Sequence, residues 1–161
     1  MSVDYELQGK VAAITGGGGV LCSVIGKALA EQGAKVALLD LRPEAAEEKA
    51  KEISDAGGKA MAVACNVLDA ESVEKARAGI ESKLGPVDIL INGAGGNKKE
   101  ATTTPDLSFF DLPTDAVQFV FNLNFIGTLI PSQVFGRQMA ERKSGVILNV
   151  SSMNAFRPLT K

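Results

Sequence analysis

The sequence has 161 residues, 45% of them hydrophobic, which suits one globular domain with a buried core and is short for two. Lysine and arginine total 17 against 19 acidic residues, with no long basic block, which argues against nucleic acid as the main partner. The first residues lack a signal-peptide pattern and no apolar run approaches the roughly 18 residues of a membrane span, so we expect a soluble, cytoplasmic protein with no membrane partner.

Apolar segments alternate with helical patterns along the chain. Nearly continuous apolar runs, typical of strands buried on both faces, predict strands at residues 10–15, 35–40, 60–67, 87–93 and 145–152. The first helix carries an apolar stripe that we expect to face the core: Leu21, Val24, Ile25, Ala28 and Leu29. The second begins at Pro43, and the third begins after Asp69 with Val73, Ala76, Ile80 and Leu84 inward. The fourth covers residues 114–142, with Asn124, Gly127 and Pro131 as candidate kinks.

This alternation predicts the fold. Strand, helix and strand in repetition indicate parallel pairing through right-handed crossovers. We therefore expect a single α/β domain, a Rossmann-type doubly wound parallel sheet in three α/β/α layers, with strand order 3-2-1-4-5. Between the fourth strand and the long helix, the polar segment at residues 96–113 is either a substrate loop or disordered surface.

The stretch "TGGGGVLCSVIG" follows the first strand and opens the first helix. A strand, a glycine turn and a helix N-terminus in this order can hold the diphosphate of a dinucleotide, since backbone amides and the helix dipole face the phosphates. The strict G-x-G-x-x-G spacing fails, because Leu21 or Cys22 occupies its last position. A flexible turn is the alternative interpretation.

Asp40 ends the second strand, 21 residues after Gly19. A carboxylate there can accept hydrogen bonds from the adenosine ribose and repel a 2'-phosphate, which favours NAD over NADP. Arg42 keeps NADP open, and a solvated acid at a strand end is the alternative. Cys22 and Cys65 lack metal-ligand spacing in a sequence without histidine, so we expect reduced thiols and no metal.

These features resemble the short-chain dehydrogenase/reductase family. Thr15 and Gly16 match the start of its T-G-x-x-x-G-x-G pattern, whose later glycines fall on Val20 and Cys22. The motifs "NGAG" at residues 92–95, "NFIG" at 124–127 and "NVSS" at 149–152 are similar to family elements in the same order, and Asn66 and Val67 fall where the family contacts adenine.

The resemblance implies an enzyme that passes hydride between a nicotinamide and a carbinol or carbonyl carbon. Ser152 would hydrogen-bond the reacting oxygen and Asn124 would hold a water of a proton relay. The family's Tyr-x-x-x-Lys is not in this sequence, whose one tyrosine is Tyr5. We therefore expect the N-terminal part of a longer enzyme, truncated after the fifth strand. A non-catalytic dinucleotide-binding module is the alternative.

The predicted cofactor residues are Thr15, Gly16, Gly17, Gly18, Gly19, Val20, Leu21, Asp40, Leu41, Asn66, Val67, Asn92, Gly93, Ala94 and Gly95. Short stretches of the sequence also resemble those of family members that act on D-mannonate and D-fructuronate. Candidate substrate contacts are Lys98, Lys99, Asn154 and Arg157, and the cations of the two lysines and the arginine could hold a sugar-acid carboxylate. Gluconate, deoxygluconate or polyol dehydrogenases are alternatives, and the resemblance implies a homo-dimer or homo-tetramer with the long helix at an interface.

Overall fold

The computed structural model describes residues 5–152. Its strands are β1 (Val11–Thr15), β2 (Lys35–Asp40), β3 (Lys59–Ala64), β4 (Ile89–Asn92) and β5 (Val146–Asn149). Its α-helices are α1 (Val20–Glu31), α2 (Pro43–Asp55), α3 (Ala70–Leu84), α4 (Thr114–Phe121) and α5 (Gly127–Arg142). A π-helical segment, Asn122–Ile126, joins α4 to α5, and two 3₁₀ turns, Lys99–Ala101 and Phe109–Asp111, lie in the loop before α4.

The strands form one parallel sheet in the order β3-β2-β1-β4-β5, which confirms the predicted topology. The chain moves outward from β1 to β3 and then returns to the other side of β1 to form β4. In an open parallel sheet, this reversal leaves a crevice at the carboxyl ends of the strands. The crevice lies between the ends of β1 and β4.

Helices cover both faces of β1, β2 and β4, so the predicted three layers are confirmed, whereas all four residues of β5 are exposed, contrary to the prediction of a strand buried on both faces. One apolar cluster packs β1, β2 and β4 against α3 and α5, and it includes Val73, Ile80, Phe135 and Met139. The other packs the opposite face against α1 and α2. All of β1 is buried, as its unbroken apolar sequence requires.

Helix α1 corrects one prediction. Leu21, Val24 and Ala28 of the expected apolar stripe are exposed, and Ile25 and Leu29 are half-buried. The buried residues are instead Cys22, Gly26 and Ala30. A Cβ at Gly26 would lie 3.0 Å from Cδ2 of Leu38, so α1 approaches β2 too closely for large side chains. Small residues face the sheet because the distance between backbones decides the packing here.

Helices α2 and α3 follow their sequence signals. Pro43 occupies the first turn of α2. Asp69 caps α3 by accepting a hydrogen bond of 2.9 Å from the amide of Glu71. The predicted inward residues Val73, Ala76, Ile80 and Leu84 are all buried. Gly85 ends the helix with φ of +104°, a conformation that favours glycine.

The stretch Thr114–Arg142 is a 29-residue helix interrupted by the π-helical segment. An 18-residue window of this helix reaches a mean hydropathy of 1.2. By length and composition alone the helix could therefore cross a membrane, contrary to the expectation from the sequence. Its α5 part packs Pro131, Phe135 and Met139 onto the sheet. Only 17% of the apolar window is buried, so the helix contacts the sheet along one side.

Candidate active site

Two cavities open at the carboxyl ends of the strands. The first, of about 510 Å³, extends from the glycine turn to the ends of β2 and β3. The second, also of about 510 Å³, lies between the π-helical segment and the chain that leaves β5. Gly93, Ala94 and Gly95 line both cavities. The residues after β4 therefore form a shared wall.

Most of the predicted cofactor residues line the first cavity: Gly16, Gly19, Val20, Leu21, Asp40, Leu41, Asn66, Val67, Gly93, Ala94 and Gly95. They come from the ends of β1, β2, β3 and β4, which a parallel sheet brings to one edge. The other predicted residues, Thr15, Gly17, Gly18 and Asn92, are not among its lining residues.

The glycine turn brings the backbone close to its neighbours. Gly16 has φ of +68°, and a Cβ there would lie 2.9 Å from the carbonyl oxygen of Gly93. A Cβ at Gly17 would lie 2.7 Å from Cβ of Leu38. Glycine is therefore required at both positions. A side chain would not fit at either one, and the positive φ of Gly16 also favours glycine.

Helix α1 points its N-terminus at the first cavity. Its N-cap residue is Gly19, which has no side chain to accept a hydrogen bond from the first amides, and no acidic residue occupies the first turn. The first amides of an α-helix have no partner within the helix, and the dipole makes this end positive. The arrangement can therefore bind an anion such as a diphosphate through backbone amides.

Asp40 is fixed beside this turn. Its Oδ2 accepts a hydrogen bond of 3.0 Å from the amide of Gly18, and its Oδ1 accepts one of 3.0 Å from the amide of Arg42. The Arg42 Nε lies 4.0 Å from Oδ1, but the arginine side chain is mostly exposed. The carboxylate keeps lone pairs that can accept hydrogen bonds from two hydroxyl groups of a ribose.

Thr15 and Asn92 support the wall from behind. The buried Thr15 Oγ1 accepts hydrogen bonds of 3.1 Å from the amides of Gly93 and Ala94. Asn92 Nδ2 donates to Oδ1 of Asn149 at 2.8 Å and to Oγ of Ser132 at 2.9 Å. These bonds tie the end of β4 to β1, β5 and α5, so they position residues 93–95.

The second cavity brings together the two predicted catalytic residues, Asn124 and Ser152, which are distant in sequence. Asn124 Nδ2 donates to the carbonyl oxygens of Gly96 at 2.7 Å and Val120 at 2.8 Å, and its Oδ1 accepts from the amide of Gly96 at 3.1 Å. Both hydrogens of the Asn124 side-chain amide are thus donated to backbone carbonyl oxygens. A water-holding role for Asn124 stays a prediction.

The loop at residues 96–113 folds over α4. It contains the two 3₁₀ turns and a bridge between Thr104 and Leu107. Lys98 Nζ lies 5.6 Å from the centroid of the Phe119 ring, and Phe119 lines the first cavity. Neither Lys98 nor Lys99 is among the residues that line the two cavities. The other substrate candidates, Asn154 and Arg157, lie outside the described residues.

Several cavity residues were not predicted from the sequence: Cys22, Leu39, Cys65, Leu68, Phe119 and Leu123 in the first cavity, and Thr128, Val150 and Ser151 in the second. Thr128 had a usable signal, because it lies four residues after Asn124 on the same helical face, where its Oγ1 donates to the Asn124 carbonyl oxygen at 3.0 Å. Phe119 and Leu123 had none, since helical spacing alone does not show which side of the long helix faces the strand ends.

Both cysteines are free, buried and line the first cavity. Burial, and secondarily the charge of Asp40, raises the pKa of the Cys22 thiol. Burial raises the pKa of Cys65 to about 11, against a smaller opposite effect of its hydrogen bond with Ser72. Both thiols are therefore neutral at pH 7, and neither is in a disulfide, as predicted. Within residues 5–152, no cluster of histidine, cysteine, aspartate and glutamate could hold a metal ion.

Known proteins are similar to this chain in sequence. A family model described as short chain dehydrogenase matches residues 10–161. An uncharacterized oxidoreductase of Haemophilus influenzae is 48% identical over 100% of this chain and 60% of its own length, and a D-threitol dehydrogenase of Mycolicibacterium smegmatis is 34% identical over 94% of this chain and 56% of its own.

Among solved structures, a Haemophilus protein proposed to be a D-mannonate oxidoreductase, with bound NAD, matches with a TM-score of 0.88 and 48% identity. The match covers 96% of this chain and 59% of that structure. The chain thus spans about three fifths of the length of these relatives.

Proposed function

The chain belongs to the short-chain dehydrogenase family, and from that premise we propose that the complete protein is an NAD-dependent oxidoreductase acting on a small hydroxylated substrate. The observation that carries the proposal is the first cavity, where the free N-terminus of α1, the glycine turn and Asp40 line one continuous surface. This surface suits a dinucleotide, because the diphosphate needs backbone amides and the adenosine ribose needs a hydrogen-bond acceptor.

NAD fits this surface better than NADP. Asp40 is held toward the cavity by two backbone amides, so its negative charge would face a 2'-phosphate at short range. Arg42 could offset that charge, but its side chain is 76% exposed, whereas that of Asp40 is 11% exposed. The NAD bound to the 48% identical Haemophilus protein supports the same preference.

The second cavity is proposed as the reaction chamber. When bound, the nicotinamide supplies or accepts the hydride. Residues 93–95 would hold it against the wall shared with the second cavity, and Ser152 would donate a hydrogen bond to the reacting oxygen. Asn124 would hold a water of the proton relay, and the described residues that line the second cavity include no tyrosine or lysine to act as its acid or base.

We propose a sugar acid, D-mannonate or D-fructuronate, as the substrate. The Haemophilus structure proposed to be a D-mannonate oxidoreductase supports this, as do the two adjacent cations Lys98 and Lys99 in the loop at residues 96–113. We assign this loop to substrate binding. A polyol is the second candidate, which the relationship to a D-threitol dehydrogenase supports.

The complete protein is proposed to be a cytoplasmic homo-oligomer, a dimer or tetramer. Exposed apolar side chains recur every four residues along the outer side of the long helix, at Val117, Phe121, Phe125 and Leu129. The Phe121 and Phe125 rings are stacked with centroids 5.2 Å apart. A continuous apolar stripe of this kind is typical of an interaction surface.

The test uses the complete protein with two substrate pairs, D-fructuronate with NADH and D-threitol with NAD. Turnover of fructuronate supports the sugar-acid proposal, and turnover of threitol alone replaces it with the polyol. Ser152→Ala should abolish most turnover and leave the dissociation constant for NADH unchanged. Ser82→Ala, on the exposed side of α3, is the matched control. A protein that binds neither NADH nor NAD would refute the oxidoreductase assignment.

A further inference from the structure

Cys22 and Gly93 meet where the two cavities share a wall. Cys22 lies in the first turn of α1 and is 4% exposed, and Gly93 follows β4. A Cβ at position 93 would overlap Sγ of Cys22 and would lie 3.0 Å from the carbonyl oxygen of Thr15. Position 93 therefore has no room for a side chain while residue 22 is cysteine.

The segment that carries Gly93 cannot easily move away from α1. Its amide and that of Ala94 donate to Thr15 Oγ1, both at 3.1 Å. The Gly93 carbonyl oxygen is confined on another side, since a Cβ at Gly16 would lie 2.9 Å from it. Extra volume between residues 22 and 93 must therefore shift the first turn of α1, shift residues 93–95, or turn Sγ into the first cavity.

We propose that Cys22 is a positioning residue which, through its contact with Gly93, sets the distance between the first turn of α1 and the wall after β4. That distance fixes the width of the first cavity between the diphosphate end and the nicotinamide end. The inference rests on the proposed dinucleotide function. The thiol acts through its volume, because Cys22 is buried and holds its proton at pH 7.

The geometry offers a rescue test. A Cβ at position 93 would lie 3.8 Å from Cβ of Cys22, an ordinary contact, so Sγ is the side-chain atom in the way, and the tight contact of 3.0 Å with the Thr15 carbonyl oxygen remains. In the complete protein, Gly93→Ala should raise the dissociation constant for NADH about tenfold or more. Cys22→Ala alone should raise it about threefold or more, because the contact that sets the distance is lost, and the double variant should bind NADH more tightly than Gly93→Ala.

Gly79→Ala is the matched control, because a Cβ at this position of α3 would meet no described atom within 4 Å. It should leave the dissociation constant for NADH unchanged. Thermal midpoints measured on all variants separate the two possible roles. A purely structural contact would lower the midpoint of Gly93→Ala and leave its affinity for NADH at the wild-type value, which would overturn the inference.

A double variant that binds NADH no better than Gly93→Ala would also overturn it. If Gly93→Ala does not fold, Cys22→Val adds volume from the helix side, and Cys22→Ser keeps the volume nearly unchanged. Weakened binding by the valine variant with wild-type binding by the serine variant supports the inference, and equal binding by both refutes it. A wild type that binds no nicotinamide dinucleotide refutes the proposed function, whereas wild-type binding without coupling between the two positions refutes this inference alone.

Discussion

Replacing Asp40 with asparagine tests the proposed preference for NAD. The carboxylate accepts hydrogen bonds from the amides of Gly18 and Arg42, each at 3.0 Å, and its side chain is 11% exposed. Asparagine keeps the shape and one acceptor but removes the charge and loses one of the two bonds. We expect the free energy of unfolding to fall by about 1 kcal/mol as a result.

The larger effect is on the choice of dinucleotide. Two unit charges about 4 Å apart repel by about 1 kcal/mol in bulk water and by about 4 kcal/mol at an effective dielectric constant near 20. Because Asp40 is mostly buried, the upper part of this range applies, about 2–4 kcal/mol. Loss of the charge should therefore lower the ratio of the dissociation constants for NADPH and NADH by roughly 30-fold or more.

Fluorescence titration of the complete wild-type protein and Asp40→Asn with NADH and NADPH measures this ratio. The matched control is Asp55→Asn, which removes a charge from the exposed end of α2 and breaks only an ion pair with Lys51. The control should leave the ratio unchanged. A ratio that stays within about twofold of wild type in a folded Asp40→Asn protein would show that this carboxylate does not face the ribose.

Three further changes test the structure around the site. Thr15→Val leaves two backbone amides without their acceptor, so urea unfolding should show a loss of about 2–4 kcal/mol that Thr15→Ser restores, and a loss below about 0.5 kcal/mol would contradict the role. Burial raises the pKa of Cys65 to about 11, above the roughly 8.5 of an exposed thiol. Its contribution to stability is therefore complete below about pH 8.5 and declines as the pH rises toward about 11, and Cys65→Ala should remove that decline. Parallel curves of stability against pH for wild type and Cys65→Ala would contradict this. In the complete protein, Phe121→Ser with Phe125→Ser should reduce the mass measured by light scattering, whereas Phe110→Ser, in the exposed loop, should not.

The topology and much of the core follow from the sequence alone. Unbroken apolar runs mark β1, β2 and β4, which are covered on both faces, whereas the apolar run of β5 is exposed. Helix α3 shows the same agreement, since Asp69 caps it and Val73, Ala76, Ile80 and Leu84 repeat at helical spacing. Where packing requires large apolar side chains, periodicity and burial coincide.

Helix α1 shows where this reasoning stops. Its contact with β2 depends on Gly26, and periodicity assigned the core face to Leu21 and Val24 because they are larger. The residues that line the first cavity were predictable where they lie at or just after the end of a strand, as Asp40 and Asn66 do. Phe119 was not, because only the three-dimensional path of the long helix brings it there.

The π-helical segment Asn122–Ile126 has a consequence for the register of the helix that contains it. A π turn holds one residue more than an α turn, and each residue of an α-helix advances about 100° around its axis. Deleting one residue there would thus rotate α4 relative to α5 by about a quarter turn. Phe119 and Pro131, which now contact different parts of the molecule, could no longer both keep their partners. The π-helical segment thus acts as a one-residue insertion, which allows α4 and α5 to direct different sides of one long helix toward their separate contacts.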